Sequence, residues 1–130
     1  MGHISQDAKK AVATQLKTIM PKGWKWSLAV RDYCELSLTI ASAPVDLLAL
    51  YNANNRRNPV RGYVQMTNHG LVDNFKGDAA MAEVFGKILA ALKGPGYFDR
   101  SDSQQDITDV AHYIRVNIGK DVKPFAVTAV

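Results

Sequence analysis

Three sets of residues carry the side chains from which a site could be built. The first is basic: Arg56, Arg57 and Arg61 lie in a stretch that also holds Asn52, Asn54, Asn55 and Asn58. Guanidinium forks bind phosphates and carboxylates bidentately, so this stretch suits a nucleic acid or an acidic protein surface. Asn55 places a neutral donor and acceptor beside the arginines, and Lys9, Lys10 and Lys17 extend the set if the fold brings the first helix near. A solvated loop would have the same composition. The second set is acidic, with Asp99, Asp102, Asp106 and Asp109 interleaved with Ser101 and Ser103. It lacks the central Gly and terminal Glu of a calcium loop, and Asp and Ser also serve as caps and turn residues, so no metal is expected. The third set is His3, His69, His112 and the lone Cys34. No His or Cys pair has metal-ligand spacing, and one cysteine allows neither an internal disulfide nor a thiolate cluster.

Recognisable enzyme chemistry is missing. There is no phosphate-cradling glycine loop, no dinucleotide fingerprint and no nucleophile elbow, and Cys34 has no activating partner evident in the sequence. The expectation is a protein without catalytic activity or cofactor. A metal-dependent enzyme using Asp99, Asp102, Asp106 or His112 is the weakest of the readings. Trp24 and Trp26 could stack on bases, but they share an alternating face with Leu28 and Val30 and are read as core.

The elements that must position these residues follow from periodicity. Ser5 caps a helix reaching about Met20, with Ala8, Val12, Leu16 and Ile19 on its buried stripe. Trp24, Trp26, Leu28 and Val30 alternate as a strand, and Leu36, Leu38 and Ile40 as a second. Pairing the two apolar sets on one face requires an odd loop, of three or five residues, which sets Val30 against Leu36, Leu28 against Leu38 and Trp26 against Ile40. Ser42-Ala43-Pro44 opens a short helix carrying Val45, Leu47, Leu48 and Tyr51, and a polar loop follows from Asn52 to Gly62. Tyr63, Val64 and Met66 suggest a short strand.

The clearest helix runs from about Asp78 to Lys93, with Met81, Val84, Phe85, Ile88, Leu89 and Leu92 on one side and Gly94-Pro95 at its end. Leu89→Asp is expected to be among the most damaging changes. Val110, His112, Ile114, Val116 and Ile118 alternate as a third strand, with His112 read as a histidine at the core or its rim holding a hydrogen-bond partner. Phe125 to Val130 suggest a final edge segment. This mixture of helices and hairpin predicts an α+β fold, a small antiparallel sheet of three to five strands with helices mainly on one face.

At 130 residues the chain fits a single domain, 1–130, and 47% hydrophobic content supports a core without staples. Its net charge of +4 is uneven: residues 1–61 carry nine basic and four acidic groups, +5, and residues 62–130 seven and eight, −1. That surplus suits an anionic partner without demonstrating one. No apolar run approaches a membrane span and no signal-peptide pattern opens the chain, so a soluble protein of a reducing cytoplasm is expected.

Two segments carry a family resemblance. His3-Ile4-Ser5 before a Lys-bearing helix, then Trp26-Ser27-Leu28-Ala29-Val30-Arg31 and the hairpin to Ser42-Ala43-Pro44, resembles the start of large polyvalent protein-associated domain twenty-nine, a family of bacteriophage and plasmid proteins. Lys93-Gly94-Pro95, Tyr97-Phe98-Asp99, Ser101-Asp102, Asp109-Val110 and His112-Tyr113 through Asn117-Ile118-Gly119 to Lys123-Pro124-Phe125 are similar to the C-terminal pattern of uncharacterised phage proteins. The middle, from Asn52 to Gly77, is unmatched. The resemblance implies a mobile-element accessory protein in the bacterial host cytoplasm, in a family suspected of opposing host defences. It brings no catalytic residues with it. The expected function is binding and blocking a host protein or nucleoprotein complex, as an anti-CRISPR does, through Arg56, Arg57, Arg61 and neighbouring loops. Direct nucleic-acid binding by the basic surface is the alternative. The acidity of a DNA mimic is missing.

Overall fold

The structure, a computed structural model, describes residues 4–32, 34–94 and 112–128. Its strands are β1 (Lys25–Arg31), β2 (Glu35–Ala43), β3 (Val64–Thr67), β4 (Tyr113–Ile118) and β5 (Ala126–Val127). Its helices are α1 (Gln6–Ile19), α2 (Leu47–Asn54) and α3 (Ala79–Lys93), and a 3-10 turn spans Asp73–Phe75. The fold is α+β. The sheet runs β1-β2-β4-β3, and β5 joins β2 beyond the end of β4.

The first hairpin has the odd loop that side-chain parity demands. Val30 pairs with Leu36, Leu28 with Leu38 and Trp26 with Ile40, and Arg31 opposite Glu35 leaves three residues, 32–34, in the loop. Asp32 takes the left-handed conformation there, with φ 53°, a region that Asp tolerates through local hydrogen bonding. Lys25 pairs with Ser42 while Trp26 pairs with Ile40, so Ala41 is an extra, bulged residue. The bulge shifts the phase of β2 and brings Ala43 into the core. Ser42 and Ala43 therefore remain in the strand, and the helix expected to open there begins later, where Asp46 Oδ1 accepts from the Ala49 N–H at 3.0 Å.

The sheet is mixed, which corrects the expectation of an antiparallel one. β2 pairs with β4 in parallel, Leu36 against Ile114, Leu38 against Val116 and Ile40 against Ile118. Alternation of side chains is the same in either strand direction, so the sequence pattern could not distinguish them. Direction is set by the long crossover between the two strands, which contains α2, β3 and α3 and is the connection that parallel neighbours require. β3 returns antiparallel to β4.

Helices and sheet meet in one core. Leu16, Leu38, Ile40, Leu47, Leu71, Phe75, Phe85, Ile88, Leu92, Val116 and Ile118 are fully buried within it. Its centre is Phe85, stacked on Phe75 with ring centroids 4.1 Å apart and tilted against Trp24 at 6.1 Å. Leu71 and Phe75 come from the segment between β3 and α3, Leu71 just before the 3-10 turn and Phe75 at its end, where isolated apolar residues have no periodicity to betray them. Leu89, expected to be among the most sensitive positions, is only half-buried; Phe85, Ile88 and Leu92 occupy the interior face of α3 instead. Phe85→Ala should cost about 3–5 kcal/mol in urea unfolding. Leu89→Ala should cost visibly less, and equal losses would contradict this packing.

Candidate binding site at the cationic end of the sheet

The arginine-bearing loop is built by asparagine side chains. Asn52 presents its amide to Val60 as a second strand would: Nδ2 donates to the Val60 carbonyl at 3.0 Å, and Oδ1 accepts from the Val60 N–H at 2.8 Å. Asn54 Nδ2 donates to the carbonyls of Leu50 and Asn74, and Asn55 Nδ2 to the Tyr51 carbonyl and Asn74 Oδ1. The loop is thus clamped at its root and tied to the 3-10 turn. Arg56, Arg57, Asn58 and Pro59 project from the clamp, and Arg61 follows it; all are exposed. Asn55, expected as a contact residue, spends its amide nitrogen holding the loop. The asparagines reflect architecture, and the arginines are what the architecture presents.

Two further cations join this loop from far along the chain. Gly119 adopts φ +73°, and a Cβ there would lie 2.5 Å from both the Gly62 carbonyl oxygen and the Phe125 nitrogen. Only glycine lets three backbone segments cross so closely. The Phe125 N–H donates to the Gly62 carbonyl at 2.7 Å, and Pro124 packs beside Gly62. Between these anchors, Lys120 and Lys123 exchange backbone hydrogen bonds of 2.9 and 3.1 Å, closing a turn with Asp121 and Val122 at its tip. The crossing sets Lys120 and Lys123 beside the segment that carries Arg61. Lys25 opens β1 at the same end of the sheet, opposite Ser42.

Arg56, Arg57, Arg61, Lys120 and Lys123 are all exposed, and none forms an ion pair among the described residues. Among the described residues, Asp121 at the tip of the turn and Asp73, beside Asn74, are the acids nearby. Lys120 and Lys123 had no sequence signal linking them to Arg61; a glycine at 62 and another at 119 are visible, but not that they meet. Lys9, Lys10 and Lys17 belong to α1, which packs on α3 and β1, whereas α2, which leads into the arginine loop, packs on the 3-10 turn. The lysines of the first helix therefore ride on a different element, and Lys9 is half-buried.

The remaining candidates resolve more simply. His112 donates from Nε2 to the Leu92 carbonyl at 2.8 Å, satisfying one of the acceptors left over at the C-terminal turn of α3. It also lines a mostly aliphatic groove of about 720 Å³ between α1 and α3, beside Ala8, Val12, Ile19 and Ala90. His69 is exposed. Among the described residues no three His, Cys, Asp or Glu side chains cluster as a metal site would require, and no helix is long and apolar enough to cross a membrane. Asp99, Asp102, Asp106 and Asp109, with Ser101 and Ser103, lie outside the described residues, as do His3, Tyr97-Phe98 and the expected strand start at Val110.

Comparison with protein-family models, with curated proteins and with solved structures gives no match. Asn52→Ala removes both bonds to Val60 and leaves its N–H and carbonyl without their partners. The expected loss is about 1–3 kcal/mol in stability, with faster amide exchange across residues 56–60; unchanged exchange there would show that the loop is not held by this clamp.

Proposed function

We propose that the protein is a non-enzymatic mobile-element accessory protein that binds a host protein or nucleoprotein complex and blocks one of its functional surfaces, in the manner of an anti-CRISPR inhibitor. One observation carries the binding part of this reading: three guanidinium groups without ionic partners among the described residues stand on a loop already fixed by side-chain amides. A loop ordered in advance loses little conformational entropy on docking, so more of its contact energy appears as affinity. Arginine forks suit carboxylates and phosphates alike, and Lys120 and Lys123 add to the field that steers an anionic partner inward. The anti-defence part rests on the resemblance of both chain ends to phage and plasmid proteins.

The site offers positioning and charge, with no nucleophile and base paired at hydrogen-bonding distance among the described residues. Binding with steric occlusion is therefore the mechanism it suits. In a bacterial lysate, the tagged protein should retain one dominant partner or complex. Arg56→Ala, Arg57→Ala and Arg61→Ala combined should weaken that capture by at least tenfold while thermal unfolding stays within about 1 kcal/mol of the parent, as surface changes do. Capture unaffected by the triple change would refute the arginine loop as the docking element.

A further inference from the structure

The five exposed cations at the end of the sheet come from two segments that the backbone fastens together, and a sixth adjoins them. Lys76 lies just past the 3-10 turn, between Asn74 and Gly77 in the chain. Asn54 Nδ2 donates to the Asn74 carbonyl at 3.0 Å, and a Cβ on Gly77 would stand 3.5 Å from the same nitrogen. Asn54, which ends α2 ahead of the arginines, thus grips the chain on either side of Lys76, and Lys76 is itself exposed. Arg56, Arg57, Arg61, Lys76, Lys120 and Lys123 form no ion pair among the described residues. Asp78, two positions past Lys76, is engaged in capping α3, where its Oδ1 accepts from the Met81 N–H at 3.1 Å. Asp73 and Asp121 are left to offset six positive charges.

A surface of this kind suits a polyanion with evenly spaced charges, and the phosphodiester backbone of a nucleic acid has that form. Each strand of a duplex carries one negative charge per about 3.4 Å of helix axis. Arg61 lies five positions beyond Arg56, at most about 18 Å away, so the loop with the lysine turn beside it is of a size to face about five phosphates. Guanidinium forks bind phosphate oxygens in pairs, and lysines meet them as point charges. Such contacts position a protein on a duplex without carrying sequence information. A protein partner asks for a different surface: stable protein interfaces centre on apolar and aromatic side chains, with charge at the rim. Here the lysine turn offers Val122 as its apolar group, 90% exposed, with Asp121 and Lys123 on either side.

We propose that Arg56, Arg57, Arg61, Lys120 and Lys123 form one sequence-independent binding tract for the phosphate backbone of a nucleic-acid duplex, with Lys76 at its flank. This assignment rests on the reading above that the arginine loop is the docking element, and it names what the loop docks on: the nucleic acid of a nucleoprotein complex. Fluorescence anisotropy of the full chain measures affinity against salt, with labelled DNA and RNA duplexes of about twenty base pairs in two unrelated sequences, and a polyglutamate peptide as the carboxylate probe. Capture from a bacterial lysate, with and without nuclease, measures which component holds the docked complex.

Duplex should bind at low salt, alike for the two sequences and at least tenfold more tightly than polyglutamate, and log K should fall against log salt with a slope of about −4 to −5 for five phosphate contacts. Lys120→Ala and Lys123→Ala should each reduce that slope by about one, and Lys120→Arg and Lys123→Arg should keep it, a pattern that loss of folding would not produce. Lys10→Ala combined with Lys17→Ala removes as much charge from α1 and should leave the slope unchanged. Nuclease should release the captured complex. No duplex binding at low salt, equal affinity for polyglutamate, a tenfold preference between sequences, or equal effects of the α1 and turn lysines overturns the proposal. Capture that resists nuclease but is lost with the triple arginine change also overturns it, and leaves the loop docking on a protein. Capture indifferent to those arginines overturns this assignment and the docking reading together.

Discussion

The parallel pairing of β2 with β4 is the constraint from which the remaining geometry follows. It lines Leu36, Leu38 and Ile40 beside Ile114, Val116 and Ile118, so that two apolar ladders form one continuous floor under the helices. Because the strands run the same way, both finish at one end of the sheet. The chain leaving β2 turns there toward Asp46 and α2, and the chain leaving β4 turns there at Gly119. β3, antiparallel to β4, must start at that same end, three positions past Arg61. The antiparallel pairing of β3 with β4, Val64 against Ile118, then places the segment carrying Arg61 beside the Lys120–Lys123 turn. The cationic cluster is thus a consequence of strand direction more than of any local motif.

Much of this was legible in the sequence where a periodic signal existed. The hairpin register followed from parity alone, since any even loop would have turned Leu36, Leu38 and Ile40 to the side opposite Trp26, Leu28 and Val30. The cap at Ser5 was readable because a short polar side chain stands just before the apolar repeat, and it accepts the Ala8 N–H; Asp78 caps α3 in the same way, accepting from the Met81 N–H. Three features were not readable. Strand direction leaves no trace in alternation. The bulge at Ala41 follows from competition between pairing with β1 and burial of Ala43, which only the packed state decides. The contributions of Leu71 and Phe75 come from an aperiodic segment, where Phe75 earns its place by stacking on Phe85.

The basic site shows the same division. Arg56, Arg57 and Arg61 stood out by composition, and the structure exposes them all. The asparagines around them looked like ordinary loop residues, yet Asn52 and Asn54 make the loop a defined shape by standing in for missing backbone partners. Lys120 and Lys123 were invisible as site residues because Gly119, with no room for a Cβ, joins segments far apart in the chain. The physical basis of this surface is fixed presentation: side chains whose supporting backbone is already ordered before a partner arrives.

The measurement that tests this account most directly is the pattern of cross-strand nuclear Overhauser effects in the isotopically labelled protein. A parallel ladder linking 35–40 to 113–118, together with a contact between Gly62 and the Phe125 amide, is the predicted result. An antiparallel pattern between these strands would contradict the account, and Gly62 and Phe125 without mutual contacts would also contradict it and would separate Arg61 from the lysine turn.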